Sequence, residues 1–155
     1  MRIGLISDTH GLLRPEALAF LQGCDHIVHA GDIGTPQVLA ALEDIAPLSA
    51  IRGNVDTGGW AAALPDTREL TLAGIRLLVL HDLRTLGTDP AIDGIRVVVS
   101  GHSHKPLAEE RGGVLYINPG SAGPLRFRLP ITAGELLVAG DLLSPRIVHL
   151  TPLAG

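Results

Sequence analysis

The feature that most constrains this chain is a series of short apolar, β-branched runs at residues 3–6, 27–29, 48–51, 75–80 and 95–99, each closed by glycine or polar residues. Runs this short and this continuous suit strands buried on both faces, where neither face needs alternating polar residues. Between the first three runs lie two segments with helical signals. Pro15 opens an amphipathic stretch to Leu21, and Pro36 opens another to about Ile45; proline suits a first helical turn because its missing N–H has no partner there anyway. The N-terminal half therefore reads β-α-β-α-β, which implies parallel strands joined by right-handed crossovers.

Beyond residue 66 the spacing changes. Runs 69–72 and 75–80 are separated only by Ala73-Gly74, a hairpin-like connection, and 114–117, 125–129, 135–139 and 147–150 also read as short strands. One or two sheets with helices outside accommodate both halves. Stretch 56–63 holds Gly58-Gly59 and the only tryptophan, Trp60, and reads either as a mobile loop or as a short helix capped by glycine. There is no internal repeat, low-complexity tract or linker, so residues 1–155 are expected to form one domain, long enough to bury a core without staples.

Composition narrows the function classes. An apolar fraction of 46% with 18% charged residues excludes a chain disordered throughout. No apolar run approaches the ~18 residues of a membrane span, and no signal-type segment stands at the N-terminus, so a cytoplasmic location without a membrane partner is expected. Cys24 is the only cysteine. Intrachain disulfides and cysteine-based zinc sites are thereby excluded, and any metal must be held by His, Asp, Asn or water. A net charge of -4 without a Lys/Arg-rich run, and 3% aromatic residues, argue against broad nucleic-acid binding. A small substrate remains open, as does self-association into a homo-oligomer.

The polar residues that close the runs form a pattern. Ser7-Asp8-Thr9-His10 follows the first run, Gly31-Asp32 the second and Gly53-Asn54 the third; His81 follows the fourth, and Gly101-His102-Ser103-His104 the fifth. In a mostly parallel sheet these carboxyl ends lie along one edge, where open α/β sheets bind ligands. Asp8 and His10, like His102 and His104, are two residues apart, so in extended backbone each pair faces one side. Adjacent glycines allow sharp turns and keep Cβ atoms away from a ligand. His26, His29 and His149 lie within or beside apolar runs and read as structural, as do Arg52, Arg126 and Arg128 on surfaces or strand faces. Asn118-Pro119-Gly120-Ser121 reads as a turn near the site.

Imidazole and carboxylate without thiolate suit manganese, iron, zinc or nickel, and imidazole argues against calcium. Seven ligands exceed one tetrahedral ion but suit two ions sharing a carboxylate, with Asp32 as the bridge. Two divalent ions held by two carboxylates keep a surplus of about two positive charges, which attracts an anion. Water ionised on such ions can attack phosphorus, so phosphate-ester hydrolysis through metal-bound hydroxide is the expected chemistry. A mononuclear hydrolase of another class would leave His10 and His104 without a purpose.

Taken together, "DTH", "GD", "GN.D", an isolated His after a strand and "GHSH" resemble, in order and spacing, the calcineurin-like metallophosphoesterases. With "RGNVD" and "INPGS" the chain looks most like the small single-domain bacterial and archaeal branch, which includes phosphodiesterases. The resemblance runs from about Arg2 to Ser121. It implies an α/β (α+β) fold in which two mixed β-sheets pack as a sandwich flanked by helices, and a phosphodiesterase or small-monoesterase activity on a phosphoester substrate. It implies two divalent ions per chain, manganese first and nickel, iron, zinc or cobalt as alternatives. One would be held by Asp8, His10, Asp32 and His104, the other by Asp32, Asn54, His81 and His102. Asp56 would be a supporting acceptor that orients a histidine or water.

Two positions depart from the family pattern. Val55 stands where many larger relatives have a histidine able to protonate the leaving group, and the small branch often has cysteine there. Losing a positioned acid can cost ~10²–10⁴-fold, so good leaving groups are expected to be preferred. Asp82 follows His81 where relatives usually have glycine. The family also contains a retromer scaffold subunit that binds proteins through its surface. Loss of ligands marks that path, and every expected ligand position is filled here.

Overall fold

Each of the five apolar runs forms a strand because each of its faces meets a different layer. The computed structural model describes residues 1–150 except Thr88 and Phe127. Its strands are β1 (Arg2–Ile6), β2 (His26–His29), β3 (Leu48–Ala50), β4 (Thr67–Leu72), β5 (Ile75–Leu80), β6 (Val97–Val99), β7 (Leu107–Arg111), β8 (Val114–Asn118), β9 (Thr132–Ala139) and β10 (Leu142–His149), with helices α1 (Pro15–Leu21) and α2 (Pro36–Glu43). They make two mixed five-stranded sheets, ordered β10-β9-β1-β2-β3 and β4-β5-β6-β8-β7. β1, β2 and β3 are parallel, as the crossover reading requires, and β9 joins β1 antiparallel. In the second sheet β5, β6 and β8 are parallel, with β4 and β7 antiparallel at the edges.

Alternation along the strands builds the layers. Ile3 and Leu5 of β1 and Val28 of β2 pack against Leu77, Val79, Val97 and Val99 of the other sheet. The intervening Ile6 and Ile27 turn to the opposite face, against Leu21 of α1 and Leu42 of α2. Val98 and Leu80 meet Leu83 and Leu86 on the outer face of the second sheet. Complete burial of a side chain such as Leu5 or Leu77 contributes about 1.5–3 kcal/mol, which is why these runs carry no polar interruption.

Ala73 and Gly74, at φ 51° and 81°, turn β4 into β5, the conformation that a two-residue hairpin favours. Two readings change. β7 was not expected, because its Ala108, Glu109, Glu110 and Arg111 are all exposed and leave no apolar alternation to read. Conversely, the strand expected over 125–129 does not form: residues 125, 126, 128 and 129 carry none, and Phe127 lies outside the described residues. Pro124 and Pro130 flank that stretch and limit its pairing, and Ser121 bridges Ile131 across it. Stretch 56–63 holds a short 3-10 turn, Gly59–Ala61, with Trp60 half-buried against the helix-side core. No helix among the described residues is long and apolar enough to cross a membrane.

Candidate metal centre

The loops after the strands carry the site, but they do not share one sheet edge. β1 and β2 belong to one sheet, β5 and β6 to the other, and their C-terminal loops meet at one end of the sandwich. There, ligand-capable atoms of Asp8, His10 and His104 all lie within 4.8 Å of one another, and the same holds for Asp32, His81 and His102. A side-by-side reading of residues two apart in extended backbone is also corrected. Asp8, His10, Asp32, His102 and His104 have φ values of 56°, 47°, 55°, 70° and 63°. Curled loops bring Asp8 and His10 into one group, whereas His102 and His104 enter different groups.

Ala73 is the only other described non-glycine residue with positive φ. Left-handed backbone costs roughly 1–2 kcal/mol per residue for most side chains, so its concentration at five site positions needs surrounding bonds to hold it. Those bonds are present. Asp8 N donates to Gly31 O at 3.0 Å, His10 N to Asp32 O at 2.9 Å and Gly101 N to His81 O at 2.9 Å. Two glycines permit the close approach: a Cβ on Gly53 would strike the Asp32 backbone and carboxylate, and one on Gly101 would strike Ser7 Oγ and the Asp8 carboxylate.

Each aspartate spends one oxygen on protein donors and turns the other inward. Asp8 is fully buried; its Oδ2 accepts from Ser7 Oγ at 2.8 Å and from His102 N at 3.2 Å. Its Oδ1 lies 3.5 Å from His104 Nε2 and 3.9 Å from His81 Nε2 and has no hydrogen-bond partner. Asp32 Oδ1 accepts from Val55 N at 3.1 Å, while Oδ2 lies 3.1 Å from His81 Nε2 and 3.7 Å from His10 Nε2. Asp32 therefore faces one histidine from each group. Neither approach is aligned as a hydrogen bond, since His10 Nε2 and His81 Nε2 are both buried and unpartnered. Orphaned buried polar atoms are costly, and three at the meeting of these loops fit cations that would satisfy them.

The histidine tautomers follow from their partners. His81 Nδ1 lies 2.8 Å from Ala30 O, which can only accept, so Nδ1 carries a proton in either charge state and the ring, whenever neutral, presents its Nε2 lone pair inward. His29, assigned a structural role by sequence, is buried behind the site. Thr9 Oγ1 gives its single proton to Ile33 O at 2.9 Å, so His29 Nε2 donates to that hydroxyl at 3.0 Å while Nδ1 accepts from Gly31 N at 3.1 Å. This neutral ring ties the Asp8–His10 loop to the Asp32 loop. His26 binds Ser49 between β2 and β3, and His149 is exposed on β10; neither joins the site.

Burial and charge set the protonation. Burial, reinforced by the Asp32 charge, raises the Asp8 carboxyl to about 6 despite Ser7 and His81. For Asp32, burial is outweighed by His81, the Val55 N–H and His10, and its value falls to about 2. Burial lowers His10 and His104, with the exposed Arg126 cation adding to both, which favours the neutral ligand form. Burial opposes the charging of His81, but Asp32, Ala30 O and Asp8 together raise it. His29 is pushed down to about 3 by complete burial.

Asn54 occupies the exposed turn between Gly53 and Val55, beside the Asp32 loop. Asp56 orients no histidine directly. Its buried carboxylate accepts from Ile33 N at 3.1 Å, Gly34 N at 2.9 Å and Gly53 N at 2.9 Å, clamping the loops after β2 and β3 together. Ser7 was missed by sequence reasoning, although its place beside Asp8 was a local signal. Asn118 donates to Gly101 O and Ser103 Oγ, and Ser121 Oγ to Asp8 O, so the expected turn supports the loops that carry Asp8, His102 and His104. Arg52 pairs with Asp66 at the surface.

The sequence pattern of the calcineurin-like phosphoesterase superfamily domain matches residues 1–148. A probable metallophosphoesterase of Methanothermobacter thermautotrophicus is 33% identical over 165 residues, spanning 96% of this chain and 92% of its own length. Phosphodiesterase YfcE of Escherichia coli K12 is 28% identical over 174 residues, spanning 93% of this chain and 90% of its own. Among solved structures, Vps29 of Chaetomium thermophilum has a TM-score of 0.78 at 19% identity and covers 98% of this chain and 100% of that one, a likeness of fold.

Proposed function

The chain belongs to the calcineurin-like phosphoesterase superfamily, and from that premise we propose that it is a metal-dependent hydrolase of phosphodiesters or small phosphomonoesters, with residues 1–155 acting as one domain. The observation that carries this reading is the convergence of Asp8 Oδ1, His10 Nε2 and His81 Nε2, buried and without protein partners, at the meeting of two three-residue groups. Asp8, His10, Asp32 and His104 would hold one divalent ion, and Asp32, Asn54, His81 and His102 the other. Manganese is the first choice, with nickel, iron, zinc or cobalt as alternatives. When bound, the ions supply Lewis-acid polarisation of phosphoryl oxygens and a water of lowered pKa.

The chain's own groups do the rest. Asp8 and Asp32 bring only two negative charges, so the loaded centre attracts an anionic ester. Ser7, His102 N and Val55 N fix the two carboxylates, and Ala30 O fixes the His81 tautomer, so little reorganisation remains when substrate binds. An Asn54 that ligates through its amide oxygen keeps its NH₂ free to donate to the ester. Val55 can transfer no proton, which favours esters whose leaving group departs unprotonated. The alternative, a protein-binding scaffold with little catalysis, rests on likeness of fold alone.

Stripped of metal and then given manganese, the protein should hydrolyse bis-p-nitrophenyl phosphate or p-nitrophenyl phosphate, with no turnover before the metal is restored. Failure on both esters with every one of the five metals would overturn the proposal.

A further inference from the structure

A cavity of about 760 Å³ opens beside His102 and is bordered by the loops after β5 and β6. Its volume is in the range that takes a drug-sized ligand. The wall shared with the metal cluster is His102, so a phosphoester held at the cluster on that side would direct one substituent into this space. Leu83 and Leu107 offer that substituent an apolar surface, while Asp82, Arg84 and Lys105 bring charge.

The charges do not cancel. Asp82 caps the turn Leu83–Thr85 by accepting from Arg84 N at 3.0 Å, and its carboxylate grips the Arg84 guanidinium at 3.1, 3.2 and 2.8 Å. The same guanidinium lies 3.3 Å from His102 Nε2. Asp82 and Arg84 are thus a neutral pair held at the boundary of the metal cluster. Lys105 has no ion-pair partner among the described residues. The cavity therefore carries one uncompensated cation, on the residue that follows His104. One such charge complements one additional anionic group, whereas a polyanion would meet no second free cation in the cavity and would face the chain's net charge of -4.

We propose that this cavity is a subsite for the organic arm of the phosphoester, and that Lys105 in it selects substrates bearing one further anionic group, phosphate or carboxylate. The inference rests on the phosphoesterase reading above, and it names a substrate class: small esters with a second negative charge.

The test uses the manganese-loaded protein and two esters with one leaving group. Thymidine 5′-(p-nitrophenyl phosphate) is compared with the same ester phosphorylated at the 3′ oxygen. The 3′-phosphorylated ester should show kcat/KM roughly threefold to tenfold higher, the gain of one charge-assisted contact at a partly exposed site. Lys105→Ala should erase that preference, Lys105→Arg should keep it, and high salt should shrink it in the unmodified chain. Calorimetric binding of thymidine 3′,5′-bisphosphate against thymidine 5′-monophosphate should show the same preference and the same loss. Equal rates and affinities for the two members of each pair, or a preference that survives Lys105→Ala, would overturn the subsite. Hydrolysis of bis-p-nitrophenyl phosphate but of neither thymidine ester would also overturn it, leaving the phosphoesterase reading intact. Absence of hydrolysis of all three esters would remove the reading on which both stand.

Discussion

Asp56 and Asn54 lie two residues apart in one turn and separate two kinds of contribution. The buried Asp56 carboxylate closes three backbone N–H groups from two loops. Asp56→Ala would leave those donors buried without an acceptor and should lower the unfolding free energy by roughly 3 kcal/mol, read from urea denaturation. Asn54 is exposed, so Asn54→Ala should change stability by no more than about 0.5 kcal/mol. Its turnover with manganese should nevertheless fall about 10- to 100-fold, more per folded molecule than in Asp56→Ala. The opposite order would mean that Asn54 is only a turn residue. His29 shows why residue-scale reading of sequence is incomplete. A histidine inside an apolar run looks structural, and it is; what the run could not reveal is that its two nitrogens join the loops carrying Asp8, His10 and Asp32.

The curled loops, more than the strands, are the elements that make the site. Gly101 shows how tightly they meet, since a Cβ there would lie 2.7 Å from Asp8 Oδ2 and strike Ser7 Oγ. Gly101→Ala should therefore cost about 1–3 kcal/mol in stability as the loops move apart. It should also weaken manganese binding measured by calorimetry, because the Asp8 carboxylate is the group displaced. Undiminished affinity would show that the Asp8 carboxylate does not hold the metal. The strands themselves were legible because β1, β2, β5 and β6 are covered on both faces and could afford few polar positions. β7 was illegible for the opposite reason: Ala108 to Arg111 are exposed at an edge. The identities of the residues that converge could be listed from the strand ends, but their grouping came from the family resemblance alone, which divides the aspartates and histidines as the structure does. Period-two logic assumes extended backbone, and positive φ at His102 and His104 sends these near neighbours to different groups.

For the molecule as a whole, folding and protons, and with them the proposed metal, are linked through a buried carboxylate. In the metal-free chain Asp8 is raised to about 6 from 3.8, chiefly by burial. Its ionisation therefore opposes folding above about pH 6, and that cost is relieved as pH falls from about 6 towards 3.8. His29 acts in the other direction. Held neutral with a value lowered to about 3 from 6.5, it contributes stability above 6.5 that is progressively lost as pH falls towards 3. The two offset over part of the same window, so the melting temperature of the metal-free protein alone reports neither. The difference between melting temperatures with and without saturating manganese separates them, because both His29 nitrogens are occupied by Thr9 and Gly31 and leave none for the ion, so its contribution should cancel. On the proposed ligation, a metal needs Asp8 ionised and His10, His104 and His81 neutral, so every proton taken up by these groups would compete with it. The manganese-induced rise should be largest at and above neutral pH and should shrink as pH falls through about 6. Replacement of His29 by glutamine should lower both melting curves while preserving that decline. A metal-induced rise that stays constant through the window would place the bound ion away from Asp8.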